Sequence, residues 1–304
     1  MKMKAVIAAL LIALPAARAE DPSAAAEAPR VASVPAEVRA QFKLSPFYEK
    51  YVDLDGLPIV ASAKVNDAAL LEARYLITQM IGHRPELIAA IAHNNVRVAI
   101  LATSEFTTDI PEHSDLRPRT YWDKRARGLG ATARRPAISG GEENLLGERG
   151  DPYAAESIFV HEFAHVVHER GLNTVDKTFD TRLRAAYDAA KAEGLWKGTY
   201  AATNRMEYWA EATQSWFDTN RRNDSEHNDV STRAELKKYD PRIAALCQEV
   251  YGDGEWRYVR PEKRHPPSPH LAGFDRDQAP AFSWQPLSEQ QKAGLRSEDP
   301  PPAK

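Results

Sequence analysis

Two histidines, His161 and His165, stand four residues apart inside an apolar run, Ile158-Phe159-Val160-His161-Glu162-Phe163-Ala164-His165-Val166-Val167. On a helix that spacing puts both side chains on one face, about 40° apart and one turn along the axis. Asp151 and Pro152 are the expected N-cap and first helical residue, and Gly171 the expected stop. Two imidazole nitrogens so placed can converge on one Zn²⁺ at about 2.0–2.1 Å. Glu162 follows the first histidine, where it reaches a metal-bound water without binding the metal. The pattern is His-Glu-x-x-His, and its apolar surroundings supply a dry shell in which metal and charge interactions gain strength.

A third ligand has to come from elsewhere. The metzincin pattern asks for Gly and His where this chain has His168 and Gly171, so that arrangement is excluded. His168 lies two turns from His161, too far to share its ion, and reads as structural or substrate-facing. Downstream, Asn204 can cap a helix on which Glu207 and Glu211, again four apart, share a face beside Tyr208 and Trp209. Acids in such apolar company are costly unless paired or metal-bound. Glu207 is therefore the expected third ligand. Glu211 is expected to accept the outward N–H of a ligand imidazole. Asn204 and Glu207 also fit a capping box, the competing reading of that glutamate.

Composition narrows the rest. Among 304 residues, 40 Lys and Arg against 43 Asp and Glu give a net charge of −3, which excludes a strongly basic nucleic-acid binder or a polybasic membrane-surface protein. A single cysteine, Cys247, excludes an internal disulfide framework and a thiolate zinc cluster, and its apolar-periodic segment predicts a buried, inert thiol. Residues 1–19 begin Met-Lys-Met-Lys, continue in an apolar run and end Ala17-Arg18-Ala19, the pattern of a secretory signal cut after Ala19. The expected location is secreted or periplasmic, with no membrane attachment after cleavage. Residues 20–41, rich in Ala, Pro and Glu, read as a mobile leader, and 42–260 as one catalytic-sized domain. The segment 261–304 is too proline-dense for regular structure, although Phe274 and Trp284 could staple it to the domain.

Within the body, Ala68 to Met80 has helical periodicity, and Arg84-Pro85-Glu86 opens a second helix through Ile91. Val96 to Leu101 is the best strand. The glycine-punctuated stretch from Arg127 to Leu146 predicts a meandering loop with an edge strand, and its Ser139-to-Asn144 cluster a structured loop rather than a second metal site.

A His-Glu-x-x-His helix completed by a glutamate on a later helix resembles the gluzincin metallopeptidases. The run Glu207-Tyr208-Trp209-Ala210-Glu211, and the 42-residue interval from His165 to Glu207, are similar to the catalytic domain of the anthrax lethal factor family. The resemblance spans about Tyr153 to Phe217. It implies an α+β, zincin-like metallopeptidase domain, predominantly helical with a small sheet, and it matches Tyr200 to a tyrosine that assists at the metal. The expected protein is an exported zinc-dependent metallopeptidase with one Zn²⁺ per chain and a peptide or protein substrate. In it Glu162 is the general base on a zinc-bound water, and Tyr200 a donor to the oxyanion. An edge at Arg127–Gly141 or Val96–Leu101 would hold the substrate extended. The alternatives are an inactive zinc-binding protein of the same shape, or a zinc hydrolase of a non-peptide amide.

Overall fold

The computed structural model describes residues 28–284. The expected signal segment 1–19 with its cut after Ala19, residues 20–27 of the expected leader and residues 285–304 of the expected tail lie outside the described residues. Five strands form one sheet in chain order: β1 (Ala32–Ser33), β2 (Lys50–Leu54), β3 (Leu57–Ala61), β4 (Arg97–Leu101) and β5 (Ala137–Gly141). The first three pair antiparallel, and β3, β4 and β5 pair parallel. Asp55 and Gly56 close the β2–β3 hairpin with positive φ at both residues, the backbone twist that suits a two-residue turn.

Between β1 and β2 lies α1 (Ala36–Phe42). Thus the stretch expected to be a mobile leader up to residue 41 contains a paired strand and most of a helix. Phe42 anchors them by burial beneath the sheet, and the Arg39 guanidinium donates to the carbonyls of Ser45 and Tyr48. Parallel strands need a crossover. Between β3 and β4 it is made by α2 (Asp67–Ile81) and α3 (Pro85–His93), the two helices read from periodicity. Asn66 caps α2 by accepting from the Ala68 N–H. Side chains alternate across the strands. Ile59, Ala61, Val98, Ile100 and Ile138 join the helical core, whereas Val60, Ala99, Leu101 and Ala137 join a smaller cluster with Phe42, Leu44, Tyr48 and Ile110. Both faces of β3 to β5 are covered, as a parallel sheet requires.

The β4–β5 connection carries α4 (Arg119–Arg125). Beyond β5 the chain turns directly into α5 (Glu142–Leu146), where a loop was expected. Buried acids explain the difference. Glu142 accepts the N–H groups of Asn66 and Thr103, and Glu143 pairs with the fully buried Arg127. Asn144 accepts from the Ile158 N–H and donates to Asp151 and to the Glu156 carbonyl. The cluster is fully engaged in structure. β4 is interior and offers no free edge; β5 ends the sheet, with Leu129 bridged to Ser139 on its outer side.

The histidine helix, α6, runs Ile158–Val166. Its start differs from the Asp151–Pro152 expectation because Asp151 is committed to Arg260 and to the Tyr153 N–H. Ser157 is the cap, accepting from Val160. Nor does the helix stop at Gly171. It passes through a π-helical turn, Val167–Leu172, into α7 (Asn173–Val175), with Gly171 seated against Leu87 and Ile91 of α3. The helical layer is completed by α8 (Phe179–Ala192), α9 (Arg205–Trp216), α10 (Arg233–Tyr239) and α11 (Pro241–Tyr251), the last burying Cys247. Among the described residues no helix is long and apolar enough to cross a membrane.

The proline-dense segment is docked as far as it is described. It makes two short 3₁₀ turns, Pro261–Lys263 and Pro269–Leu271. Arg264 and His270 engage the buried Glu72 carboxylate on α2 at 2.6 and 2.7 Å. Phe282 is its buried staple, with Trp284 edge-on to it, while Phe274 is partly buried against the helical core.

Candidate metal centre

α6 and α9 cross at the centre of the helical layer. The Trp209 indole N–H, donating to the Ala164 carbonyl at 3.0 Å, fixes their register. Asn204 caps α9 by accepting from the N–H groups of Met206 and Glu207. The first turn of α9 then faces the histidine face of α6.

Three atoms meet there. His161 Nε2 lies 3.1 Å from Glu207 Oε2, His165 Nε2 lies 3.2 Å from the same oxygen, and the two nitrogens are 3.3 Å apart. A tetrahedral ion with bonds of about 2.0–2.1 Å holds neighbouring ligand atoms about 3.3 Å apart. The triangle has that size. Among the described residues these three side chains form the one group of His, Cys, Asp and Glu close enough to share an ion. A nitrogen–nitrogen–oxygen donor set at this spacing fits zinc.

Electrostatics point the same way. Burial opposes a charge on His161, yet Glu207 and Glu211 outweigh it and hold the imidazole well above its ordinary pKa. Burial likewise raises Glu207, but His161 and His165 bring its carboxyl far below the usual range. Glu211, against the same burial, is drawn down to about 2 by His161 and His227. The pocket is built to hold positive charge between two imidazoles and a carboxylate. A proton satisfies part of that demand; a divalent cation would satisfy all three ligand atoms.

Glu162 is half-buried on the next position of α6 and, among the described residues, makes no hydrogen bond or ion pair. The chain crosses above it at Gly128-Leu129-Gly130. A Cβ on Gly128 would stand 3.1 Å from the Glu162 Cγ, and one on Gly130 would stand 3.2 Å from the His165 Cβ. Side chains at these two positions would crowd the helix, and the glycines let the segment pass close over Glu162 and His165.

Tyr200 starts a 3₁₀ turn, Tyr200–Ala202, with its N–H donating to the Glu226 carbonyl. Its ring centroid is 6.2 Å from that of His161. Burial first, then the charge of Glu207, raises its phenol pKa, so the group stays protonated and able to donate. Arg125, at the end of α4, interacts with this phenol and with that of Tyr121.

His161 Nδ1 has its nearest acceptor in Gln214 Oε1 at 2.9 Å; Glu211 Oε1, expected in that role, is at 3.4 Å. Glu211 is shared with His227 Nε2 at 3.2 Å and Asn220 Nδ2 at 3.1 Å. Gln214 was recoverable from sequence, since it sits two turns from Glu207 on the same face of α9. His227 carries no such signal, because only the tertiary fold brings it to Glu211. His168 faces away from the triangle and bonds Asp180 at 3.1 Å.

No family model and no curated protein matches the chain. Among solved structures, the PRO-PRO endopeptidase from Paenibacillus alvei matches at 16% identity with a TM-score of 0.45, over 64% of this chain and 97% of that one.

Proposed function

We propose that the chain is a zinc-dependent peptidase. The observation that carries this reading is the ligand-sized triangle of His161, His165 and Glu207, with the half-buried Glu162 on the next position of α6. The likeness of its helix motifs to the gluzincins and the lethal factor family is in keeping with it. Zinc held in the triangle supplies Lewis acidity, polarising a carbonyl and acidifying water. Glu162 takes the proton of the attacking water and delivers it to the leaving amine. Tyr200 donates its phenol O–H to the developing oxyanion, with Arg125 beside it to favour negative charge there. An extended peptide finds main-chain partners along Gly128–Gly130, which keeps the scissile bond over Glu162.

Replacing Glu162 by Gln keeps the shape and removes the base. Turnover of a peptide library is expected to fall at least about 10³-fold, while zinc stays near one per chain by metal analysis. Undiminished turnover in that variant refutes the reading. We also propose export with removal of residues 1–19. N-terminal sequencing of protein recovered outside the cytoplasm should then begin at Glu20, and a retained Met1 would refute it.

A further inference from the structure

The Gln214 side chain is fully buried, and each end of its amide is engaged. Its nitrogen end has two acceptors, Glu156 Oε2 at 2.8 Å and the Ser157 carbonyl at 3.3 Å. The Ser157 carbonyl can only accept, so the amide nitrogen must face it and the amide oxygen must face His161 Nδ1 at 2.9 Å. An amide turned the other way would set oxygen against oxygen twice. Facing an acceptor, Nδ1 carries the ring proton. In the neutral form that binds a metal the ring holds one proton, and the other nitrogen, Nε2, is left with its lone pair toward Glu207 and His165.

Glu156 is held in turn. Its Oε1 lies 3.1 Å from Arg221 Nε, and Arg221 also pairs with Glu226 at 2.8 Å and Asp224 at 3.4 Å. The same turn returns through His227, whose Nδ1 lies 2.8 Å from Asp224 and whose Nε2 reaches Glu211. Its Glu226 carbonyl accepts from the Tyr200 N–H at 2.7 Å. One surface turn, residues 221–227, therefore anchors both routes to His161 Nδ1 and the backbone of Tyr200.

We infer that Gln214 is a positioning residue, held by Glu156 and the 221–227 turn, that fixes His161 with its proton on Nδ1 and its lone pair at the metal position. The inference rests on the metal reading of the triangle and not on peptide hydrolysis, so its test reads zinc itself.

Zinc affinity of the whole chain is measured by competition with a chromophoric chelator. Wild type comes first: failure to bind zinc there removes the metal centre and this inference together, before any variant is made. Gln214→Met keeps the side-chain length and loses the acceptor; its affinity should fall about 10- to 100-fold. The exchange Gln214→Glu with Glu156→Gln restores an acceptor on Nδ1 and a donor across to it, and should recover most of that loss. In zinc-loaded wild type, imidazole nitrogen resonances should show the His161 proton on Nδ1. Wild-type affinity in Gln214→Met, or a His161 proton on Nε2, overturns the inference. If Gln214→Met does not fold, the exchanged pair decides alone: a folded protein that binds zinc no better than Glu207→Ala also overturns it.

Discussion

Glu207 and Glu211 are one helical turn apart on α9, both beside His161, yet their surroundings give them different work. Glu207 reaches both Nε2 atoms within 3.2 Å. Its loss would leave two converging imidazoles with no anionic partner on that side. Glu211 stands behind His161, with donors from Asn220 and His227 that do not depend on an ion. Glu207→Ala should therefore abolish stoichiometric zinc in dialysed protein, whereas Glu211→Ala should keep the ion with affinity about 10- to 100-fold weaker. Metal analysis with chelator competition checks both, and the reverse order would overturn the assignment of ligand and support. The residue pattern carried this much because side chains four apart on a helix leave a periodic trace. It carried less about Gln214, whose role depends on which end of its amide meets Glu156.

At the scale of elements, the π-helical turn behind α6 turns His168 into the core. The ring is 1% exposed, and burial, only partly countered by Asp180, lowers its pKa from 6.5 to about 4. A histidine depressed in the folded state lends stability that is complete above its unfolded pKa and is lost as pH falls through the folded one. Stability should hold above pH 6.5 and decline from there toward pH 4, by roughly 2–3 kcal/mol from this group. Denaturant melts across that range should show a shallower decline in His168→Gln. α2, α3 and β4 were legible because their periodicity or β-branched run is local. The start of α6 was not. Asp151 is a competent cap by residue type, but Arg260, 109 positions away, claims its carboxylate and leaves the role to Ser157. Gly171 misled because its backbone is not left-handed and it continues the π-helical turn packed against α3.

Across the whole molecule, charges buried at one end of the chain are answered from the other. Glu72 is fully buried inside α2 and is held by Arg264 in a two-pronged contact and by His270, which also stacks on Tyr75 at 4.6 Å. Arg264→Ala would leave a buried carboxylate with one remaining partner, and should cost about 3–5 kcal/mol by denaturant midpoint. Glu72→Gln combined with Arg264→Met should recover much of that loss. A loss below about 1 kcal/mol in Arg264→Ala would mean that the contact is ornamental. Proline spacing spoke against regular structure here, and it could not reveal that the described part makes two 3₁₀ turns and is bound. Its grip comes from an arginine 192 positions beyond the acid it answers.

That separation sets an order of events during synthesis. Leaving the ribosome N-terminus first, the growing polypeptide has all of α2 in hand, and both histidines of α6, well before Arg264 and His270 are translated. Until then the Glu72 carboxylate lacks these partners and must stay hydrated, and the layer against it stays loose. The segment carrying Arg264 and His270, made after the sheet and the histidine helix, is thus the one that lets α2 close.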